Sequence, residues 1–504
     1  MISTKKDSIM KKIFSKSLFA LGLALTLNTG CTDLDYENYT YIDSESFPQS
    51  NDDLYASLIG VYNTLGNSYV YQWLNNSGFI AQELSTDELN TGWTSNPWIK
   101  YDTYIWTAND NPIKTCYTAY QQGVTKASKI IASVENSTTL NEKTKRQYVA
   151  ELKALRVFFM QQIYSLVGPM PVARDPEVAT NVNAEWMPSR PSASEYVSWM
   201  EDDILSSYQD LDVSVSNQNW GRMTRGAALA LLMKVYLNEK RWADANDICD
   251  RIIALSQYSL MPKYIDVFDI SNEGTVNTEA ILTIGRIVSN TSFAWTWFSV
   301  ILPSSPLYKP QNSSISGISG GLHMPWPFYD KFEVNDERLN GIVRYYYDVD
   351  GNYVDFREVV HAKQTGACPM KYSEDPDQVG ANQGNDVMLI RYADVLLSKA
   401  EAMNQLNGPT SECVELINQI RRRAGVSEIQ ASDFTKETLH DFLLDERGRE
   451  LYCEGVRRDD LIRHGKFVSA VAEQGKYPES YMALYPVPQS VIDENPKIIQ
   501  NPGY

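Results

Sequence analysis

Apolar side chains recur three or four positions apart along several stretches of the chain, and that spacing predicts helices. From Arg146 to Leu166 they fall at Val149, Leu152, Leu155, Phe159, Ile163 and Leu166, and Val167-Gly168-Pro169 supplies the stop. Thr224 to Leu255 predicts two helices, one tightly apolar from Ala227 to Leu237 and a second led by Trp242-Ala243-Asp244-Ala245, with a break at Asn238-Glu239-Lys240. Small alanines facing bulky residues on the next helix are what a tetratricopeptide-like pair needs to pack closely. The pattern returns from Ile390 to Ala424, where Leu396-Leu397-Ser398-Lys399-Ala400 echoes Leu231-Leu232-Met233-Lys234-Val235, and again from Leu439 to Leu451 and Arg457 to Phe467. The prediction is a mainly α protein with helix pairs at about 115–166, 224–255, 390–424 and 439–467. Long insertions separate the pairs, so a regular solenoid is not expected.

The insertions carry the second signal. Gly66 to Pro112, Pro169 to Pro191 and Phe293 to Pro327 are rich in Trp, Pro, Gly and Asn. Loops of that length are functional or disordered, and so much aromatic content argues for function. Further on, Tyr345-Tyr346-Tyr347-Asp348-Val349-Asp350-Gly351-Asn352-Tyr353-Val354 has acidic residues in an order that invites a calcium reading. Its glycine comes one position early for an EF-hand loop, and Asp350-Gly351 between Tyr-rich runs predicts a β-hairpin. No motif argues for bound calcium, and no cofactor is expected.

At the start of the chain the pattern changes class. Lys5, Lys6, Lys11, Lys12 and Lys16 precede the apolar run Leu18 to Leu27, which ends at Gly30-Cys31, so residues 1–30 are expected to be a secretory signal peptide. Met10 would serve as an alternative start. Leu27-Asn28-Thr29-Gly30-Cys31 resembles a bacterial lipobox, with Asn28 where an aliphatic residue is usual, and makes Cys31 the expected site of lipidation. Asp33, Asp35 and Glu37 follow it, similar to the export signal of surface lipoproteins in Bacteroidetes. The remainder, 31–504, is expected to form one domain held to the outer membrane by lipid alone. Cys116, Cys249, Cys368, Cys413 and Cys453 are odd in number and scattered, which predicts buried free thiols and no disulfide framework.

Charge narrows the choice of partner: 45 Lys plus Arg against 63 Asp plus Glu give −18, a surface that repels phosphate backbones, so nucleic acid is excluded. Catalytic motifs are missing. The four histidines, at 323, 361, 440 and 464, have no paired helical spacing for zinc, and neither a Gly-x-Ser-x-Gly elbow nor a phosphate-cradling loop occurs. The acid pairs Asp202-Asp203 and Asp459-Asp460 are read as solvated helix faces, and Arg421-Arg422-Arg423 as cations at a helix C-terminus. The chain is therefore not expected to be an enzyme.

Tryptophan is unevenly placed. Of 11 in the chain, Trp73, Trp93, Trp98 and Trp106 fall in one loop segment and Trp295, Trp297 and Trp326 in another. An indole covers the C–H face of a sugar, and planar amides and carboxylates satisfy its hydroxyls. Trp93 and Trp98, helped by Trp295, Trp297 and Trp326 and flanked by Asn75, Asn76, Asp87, Glu88 and Asn90, are the candidate exposed platform for a glycan; Trp106 reads as core. Two classes of function stand: a glycan-binding protein, if the aromatics form one exposed arc, or a tetratricopeptide-type protein-binding adaptor, if they are buried between helices.

Four stretches together carry a resemblance to a known family. They are the lipobox with its acidic follow-on; Ile390-Arg391-Tyr392-Ala393-Asp394-Val395-Leu396-Leu397 continuing to Glu401-Ala402; Arg447-Gly448-Arg449-Glu450-Leu451 running to Arg463-His464-Gly465-Lys466-Phe467; and Tyr485-Pro486-Val487-Pro488 to Gln500-Asn501-Pro502-Gly503-Tyr504. In their order and spacing the chain resembles the SusD/RagB-like outer-membrane nutrient-binding lipoproteins of Bacteroidetes, with Arg458 standing where an aromatic residue is expected. The resemblance implies four tetratricopeptide-like helix pairs packed against an irregular ligand lobe with short strands, here about 66–112 and 293–380. It also implies a TonB-dependent, SusC-like transporter barrel as partner and a glycan ligand that this subunit does not hydrolyse.

Overall fold

The longest amphipathic runs make the longest helices. In the computed structural model, which describes residues 50–504 apart from 70–77, 95–96, 182–185, 289–294, 303–311, 317–319, 349 and 359–364, the helices α1 (Asn51–Tyr69), α2 (Asn111–Asn136) and α3 (Glu142–Val167) open the fold. Asn141 caps α3 by accepting from the Thr144 N–H, and Gly168 ends it at φ 80, a left-handed value that favours glycine. α2 lies so close to α3 that a Cβ on Gly123 would stand 2.6 Å from the Phe159 ring. Two pairs follow the same logic: α5 (Arg225–Asn238) with α6 (Trp242–Ala254), after the single helix α4 (Ala193–Leu205), and α7 (Tyr392–Asn407) with α8 (Ser411–Arg423). α9 (Lys436–Leu451) packs on α7 and leads into α10 (Arg457–Arg463). Side-chain oxygens of Thr224, Thr410 and Thr435 cap α5, α8 and α9. Among the described residues no helix is long and apolar enough to cross a membrane.

Strands are few and short. β1 (Asn90–Thr91), β3 (Leu322–Pro325) and β6 (Gly366–Ala367) form a three-stranded antiparallel sheet in the order β1-β3-β6. β2 (Ala280–Ile284) pairs antiparallel with β7 (Val387–Arg391), and every residue of both is buried. β4 (Tyr345–Tyr347) and β5 (Tyr353–Asp355) make the expected hairpin, in register Tyr345 to Asp355, Tyr346 to Val354 and Tyr347 to Tyr353. Its turn runs over five residues, longer than the two-residue turn expected at Asp350-Gly351. The Asp348 carboxylate is engaged by the backbone N–H groups of Asp350 and Asn352 and the amide of Asn352.

Two charge expectations are corrected. Asp203 and Asp460 are not solvated: Asp203 receives both Nε and Nη2 of Arg156 at 2.7 Å, and Asp460 lies 2.8 Å from Arg447 and 2.7 Å from Arg463, all buried. Arg421 and Arg423 do more than complement a helix end. Arg421 reaches Glu446 at 2.9 Å, and Arg423 reaches Glu279 at 2.7 Å and also pairs with Glu450. Arg391, at the end of β7, joins the same network through Glu279 at 2.6 Å, Glu450 at 2.5 Å and Glu454 at 2.8 Å. Burial would raise the Glu450 carboxyl, but Arg423, Arg391 and Arg338 outweigh it and hold it well below the usual carboxylate range. The stretches around Arg391-Asp394 and Arg447-Glu450 thus meet in the interior, where Arg447 also grips Asp394 at 2.9 Å. Each of these buried charges faces an opposite one, so removing any single partner would leave a charge uncompensated in the interior.

Arg458 also finds its place. Its guanidinium sits 4.4 Å from the Tyr485 ring centroid and donates to the carbonyls of Met482 and Ala483, fastening the C-terminal segment where an aromatic side chain could only pack. All five described cysteines are buried free thiols.

Candidate functional site

Strand β3 is the spine of the site. Asn90 on β1 pairs with His323, and the Asn90 Oδ1 accepts from the Thr365 hydroxyl at 2.7 Å. Just beyond β1, Trp93 lies half-buried across Gly321, where a Cβ would meet the indole at 2.2 Å, so only glycine admits the ring. Trp326 stands at the other end of β3. With β-strand rise of about 3.3 Å per residue, the positions of Gly321 and Trp326 are separated by roughly 16 Å.

Around Trp326 the surface turns aromatic and charged. Its ring meets Tyr329 edge-on at 5.6 Å, and the Arg357 guanidinium lies 4.6 Å from its centroid, paired with Asp330. Trp326 also packs under the hairpin, against the cluster of Tyr346, Phe356 and Cys368. The alternation of β4 and β5 then sends Tyr345, Tyr347 and Tyr353 to the opposite, outer face, where they are 57%, 66% and 54% exposed. Tyr353 sits 5.5 Å from Tyr345 and 5.9 Å from Tyr347, so the three rings form one contiguous patch. Arg344 borders it, held 2.8 Å from Asp355. Burial pushes the Asp355 carboxyl up, but hydrogen bonds from Arg344 and the Arg357 N–H prevail and keep it below the usual range, hence ionised.

The platform expected from the tryptophans is therefore corrected in three places. Trp98 is 2% exposed and packs on Tyr101 at 5.2 Å, inside the cluster that also holds Trp106 and Tyr485. Trp295 and Trp297 stack on each other at 5.7 Å and are 2% and 1% exposed, covered by Tyr372 and Phe79. Both face the core, because Trp295 bridges to Gln383 across the backbone and Trp297 opens a buried helical turn. Trp93, Trp326 and Asn90 keep partial exposure. Asn75, Asn76, Trp73 and Cys31, the expected site of lipidation, lie outside the described residues. Asp87 and Glu88 are buried, and Asp87 is paired with Arg457 at 2.7 Å.

Sequence reasoning found the hairpin and missed its chemistry. The signal was present: tyrosine at alternate positions of one strand and again at the facing position of the next puts three phenols on one side. Chemically, the patch offers flat apolar faces for C–H surfaces, phenol hydroxyls at the ring edges, and guanidinium and carboxylate groups at the rim. The two carboxylates at the rim, Asp355 and Asp330, are both held by arginine.

Comparison with known proteins agrees with this architecture. Residues 255–504 match the model of the SusD family. The chain is similar to SusD-like protein P38 of Formosa agariphila, at 26% identity over 98% of this chain and 100% of that protein. It is 23% identical to the starch-binding protein SusD of Bacteroides thetaiotaomicron over 98% and 100% of the two chains. Among solved structures, a laminarin-binding SusD-like protein superposes with a TM-score of 0.77 at 21% identity, covering 90% of this chain and 100% of that one. Surface glycan-binding protein A from Bacteroides thetaiotaomicron in complex with laminarihexaose gives 0.74 at 20% identity, covering 90% and 99%.

Proposed function

The chain belongs to the SusD family, and from that premise we propose that it is a cell-surface glycan-binding lipoprotein that captures a poly- or oligosaccharide and passes it to a TonB-dependent outer-membrane transporter. Cys31 is the acylated residue that anchors it on the outside of the outer membrane, and the protein performs no hydrolysis. The observation that carries the glycan reading is the hairpin: three adjacent tyrosines, each more than half exposed, side by side on one face of the ribbon. Large aromatic surface left in water at one place marks a binding site. The buried Trp98, Trp295 and Trp297 meet the criterion for scaffold, so recognition rests on the tyrosines with Trp326, Tyr329 and Arg357, and with Trp93 and Asn90 further along the sheet. Relatives named for starch and laminarin make α- and β-glucans the first ligands to try.

The test uses the chain without residues 1–31 in affinity gels containing laminarin or starch. Retardation is expected for the wild type and is expected to be lost in Tyr345→Ala/Tyr347→Ala/Tyr353→Ala at an unchanged thermal midpoint. Full retardation of the triple variant would remove the hairpin from the site, and no retardation by any glycan in a broad panel would overturn the glycan reading. Prolonged incubation with a retarding glycan is expected to release no reducing ends.

A further inference from the structure

Three residues from separate elements meet among the C-terminal helices. Glu401 is on α7, His440 on α9, and His464 directly follows α10. The two imidazoles lie face to face, centroids 3.8 Å apart and planes within 8°. The His464 Nε2 is 3.2 Å from the Glu401 Oε1, and one potential ligand atom from each of the three residues lies within 4.8 Å of the others. The side chains of His464 and Glu401 are fully buried, and the Nδ1 atoms of both histidines have no hydrogen-bond partner among the described residues. A buried polar nitrogen without a partner is unfavourable, and an apolar ring would fill the same space without that cost. Packing alone therefore does not account for two histidines here.

The surroundings hold the carboxylate ready. Arg463 grips Glu401 in two-pronged fashion, Nε to Oε1 at 2.7 Å and Nη2 to Oε2 at 2.8 Å, and itself leans on Asp460 at 2.7 Å. Glu401 is thus fixed from behind, as partners of metal-bound carboxylates commonly are. Beside His440, Asp441 pairs with Lys466 at 3.0 Å.

We propose that Glu401, His440 and His464 bind one divalent transition-metal ion, of which Zn²⁺ best suits two imidazole nitrogens and a carboxylate oxygen. With ligand bonds of about 2.0–2.1 Å, two ligands of a tetrahedral zinc stand roughly 3.3 Å apart, and the His464–Glu401 pair already has that spacing. The third ligand has to move. Parallel rings aim their lone pairs side by side, so binding turns His440 out of the stack; it is the half-exposed member of the three, which lets it turn and makes it the ion's entry route. Water completes the fourth position on that side. An ion held this way ties α7, α9 and the end of α10 together, independently of any glycan bound elsewhere.

The experiment titrates Zn²⁺ into the chelator-stripped chain lacking residues 1–31, in the presence of millimolar Ca²⁺ to occupy scattered surface carboxylates. One equivalent is expected to bind and to raise the thermal midpoint, and Co²⁺ in its place is expected to show the intense visible bands of a four-coordinate site. His440→Ala and His440→Phe, the second keeping an aromatic ring in the stack, are expected to weaken Zn²⁺ binding by on the order of 100-fold or more and to abolish the rise in midpoint. Both metal-free variants are expected to melt near the wild type. Absence of a one-equivalent event, displacement of Zn²⁺ by Ca²⁺, or undiminished affinity in His440→Phe would each overturn the site.

Discussion

Two groups of aromatic side chains in the same lobe have opposite fates. Trp295 and Trp297, set in a run of Trp, Phe and Thr that reads as loop, stack on each other in the core. Tyr345, Tyr347 and Tyr353, in a strand-forming run that reads as ordinary sheet, stand in solvent. The difference lies in what covers each backbone. The segment around Trp295 is bridged to Gln383 and roofed by Tyr372 and Phe79, whereas the hairpin is a two-stranded ribbon that, among the described residues, packs Trp326, Phe356 and Cys368 under one side and leaves its three outer tyrosines more than half exposed. Alternation then forces every second side chain outward. A ring is available for a ligand when its strand has one uncovered face, whatever the composition of the loop around it.

The largest effect that would break this comparison is at the buried pair. Trp297→Ala is expected to cost about 3–5 kcal/mol of fold stability, as removal of large buried aromatics does. Retardation in a glycan gel run well below the lowered thermal midpoint is expected to be unchanged. Lost binding at full stability would mean that Trp297 reaches the ligand after all. The exposed group is expected to behave inversely. Tyr353, in contact with both other tyrosines, is the one whose loss opens the patch most; Tyr353→Ala is expected to remove about 1–3 kcal/mol of binding, by analogy with base stacking on aromatic rings, which is roughly five- to 150-fold in affinity. Its thermal midpoint is expected to stay put, and isothermal titration with a retarding oligosaccharide measures the first quantity while a melt measures the second.

How much of this the sequence foretold follows the range of the interactions involved. Helices such as α3 and α5 were legible because their signal is local: periodic apolar positions, a capping Asn or Thr, a terminating Gly or break. The hairpin was legible for the same reason. The fates of Trp98, Trp295 and Trp297 were not, because burial depends on Tyr485, Tyr372 and Phe79, which arrive from distant parts of the chain. Charge misled in the same way: Asp203, Asp460, Arg421 and Arg423 look like helix surface until Arg156, Arg447, Glu446 and Glu279 are folded against them. His440 and His464 show no ligand spacing along the chain, and only the packing of α9 against α7 and the turn after α10 stacks them.

A smaller effect sharpens the contrast from the side of the helical scaffold. Gly123 is where α2 touches α3, and a methyl there would run into the Phe159 ring. Gly123→Ala is expected to cost about 1–3 kcal/mol through overpacking, against the gain that alanine brings to a helix interior. Chemical denaturation measures it, and glycan affinity is expected to be unaffected. A stabilised variant would show that the Phe159 ring yields freely and that the two helices are not in tight contact.

The smallest effect separates the interior of the lobe from its face by pH. Glu273 lies beside Asp386, which in turn accepts from the Trp220 indole at 2.7 Å, and both border the pocket under Tyr372, the ring that roofs Trp295. Burial first, and then repulsion from the Asp386 carboxylate, push the Glu273 carboxyl up to about 8 from its ordinary 4.5. Between those two values the folded chain keeps a proton that the unfolded chain has released, so the folded state is the one favoured by added protons. Raising the pH from 5 to 9 therefore removes stability, and the loss is complete once the pH passes the folded value. Because solvent reaches part of Glu273, the change is screened and is expected to be on the order of 1 kcal/mol. Glu273→Gln, which has no proton to lose, is expected to flatten this part of the profile and to be the more stable protein at pH 9, while binding at the tyrosine face changes equally little in both across the same range. Melts of the two proteins at matched ionic strength from pH 5 to 9 decide it; parallel profiles would show that Glu273 and Asp386 are ionised together at neutral pH.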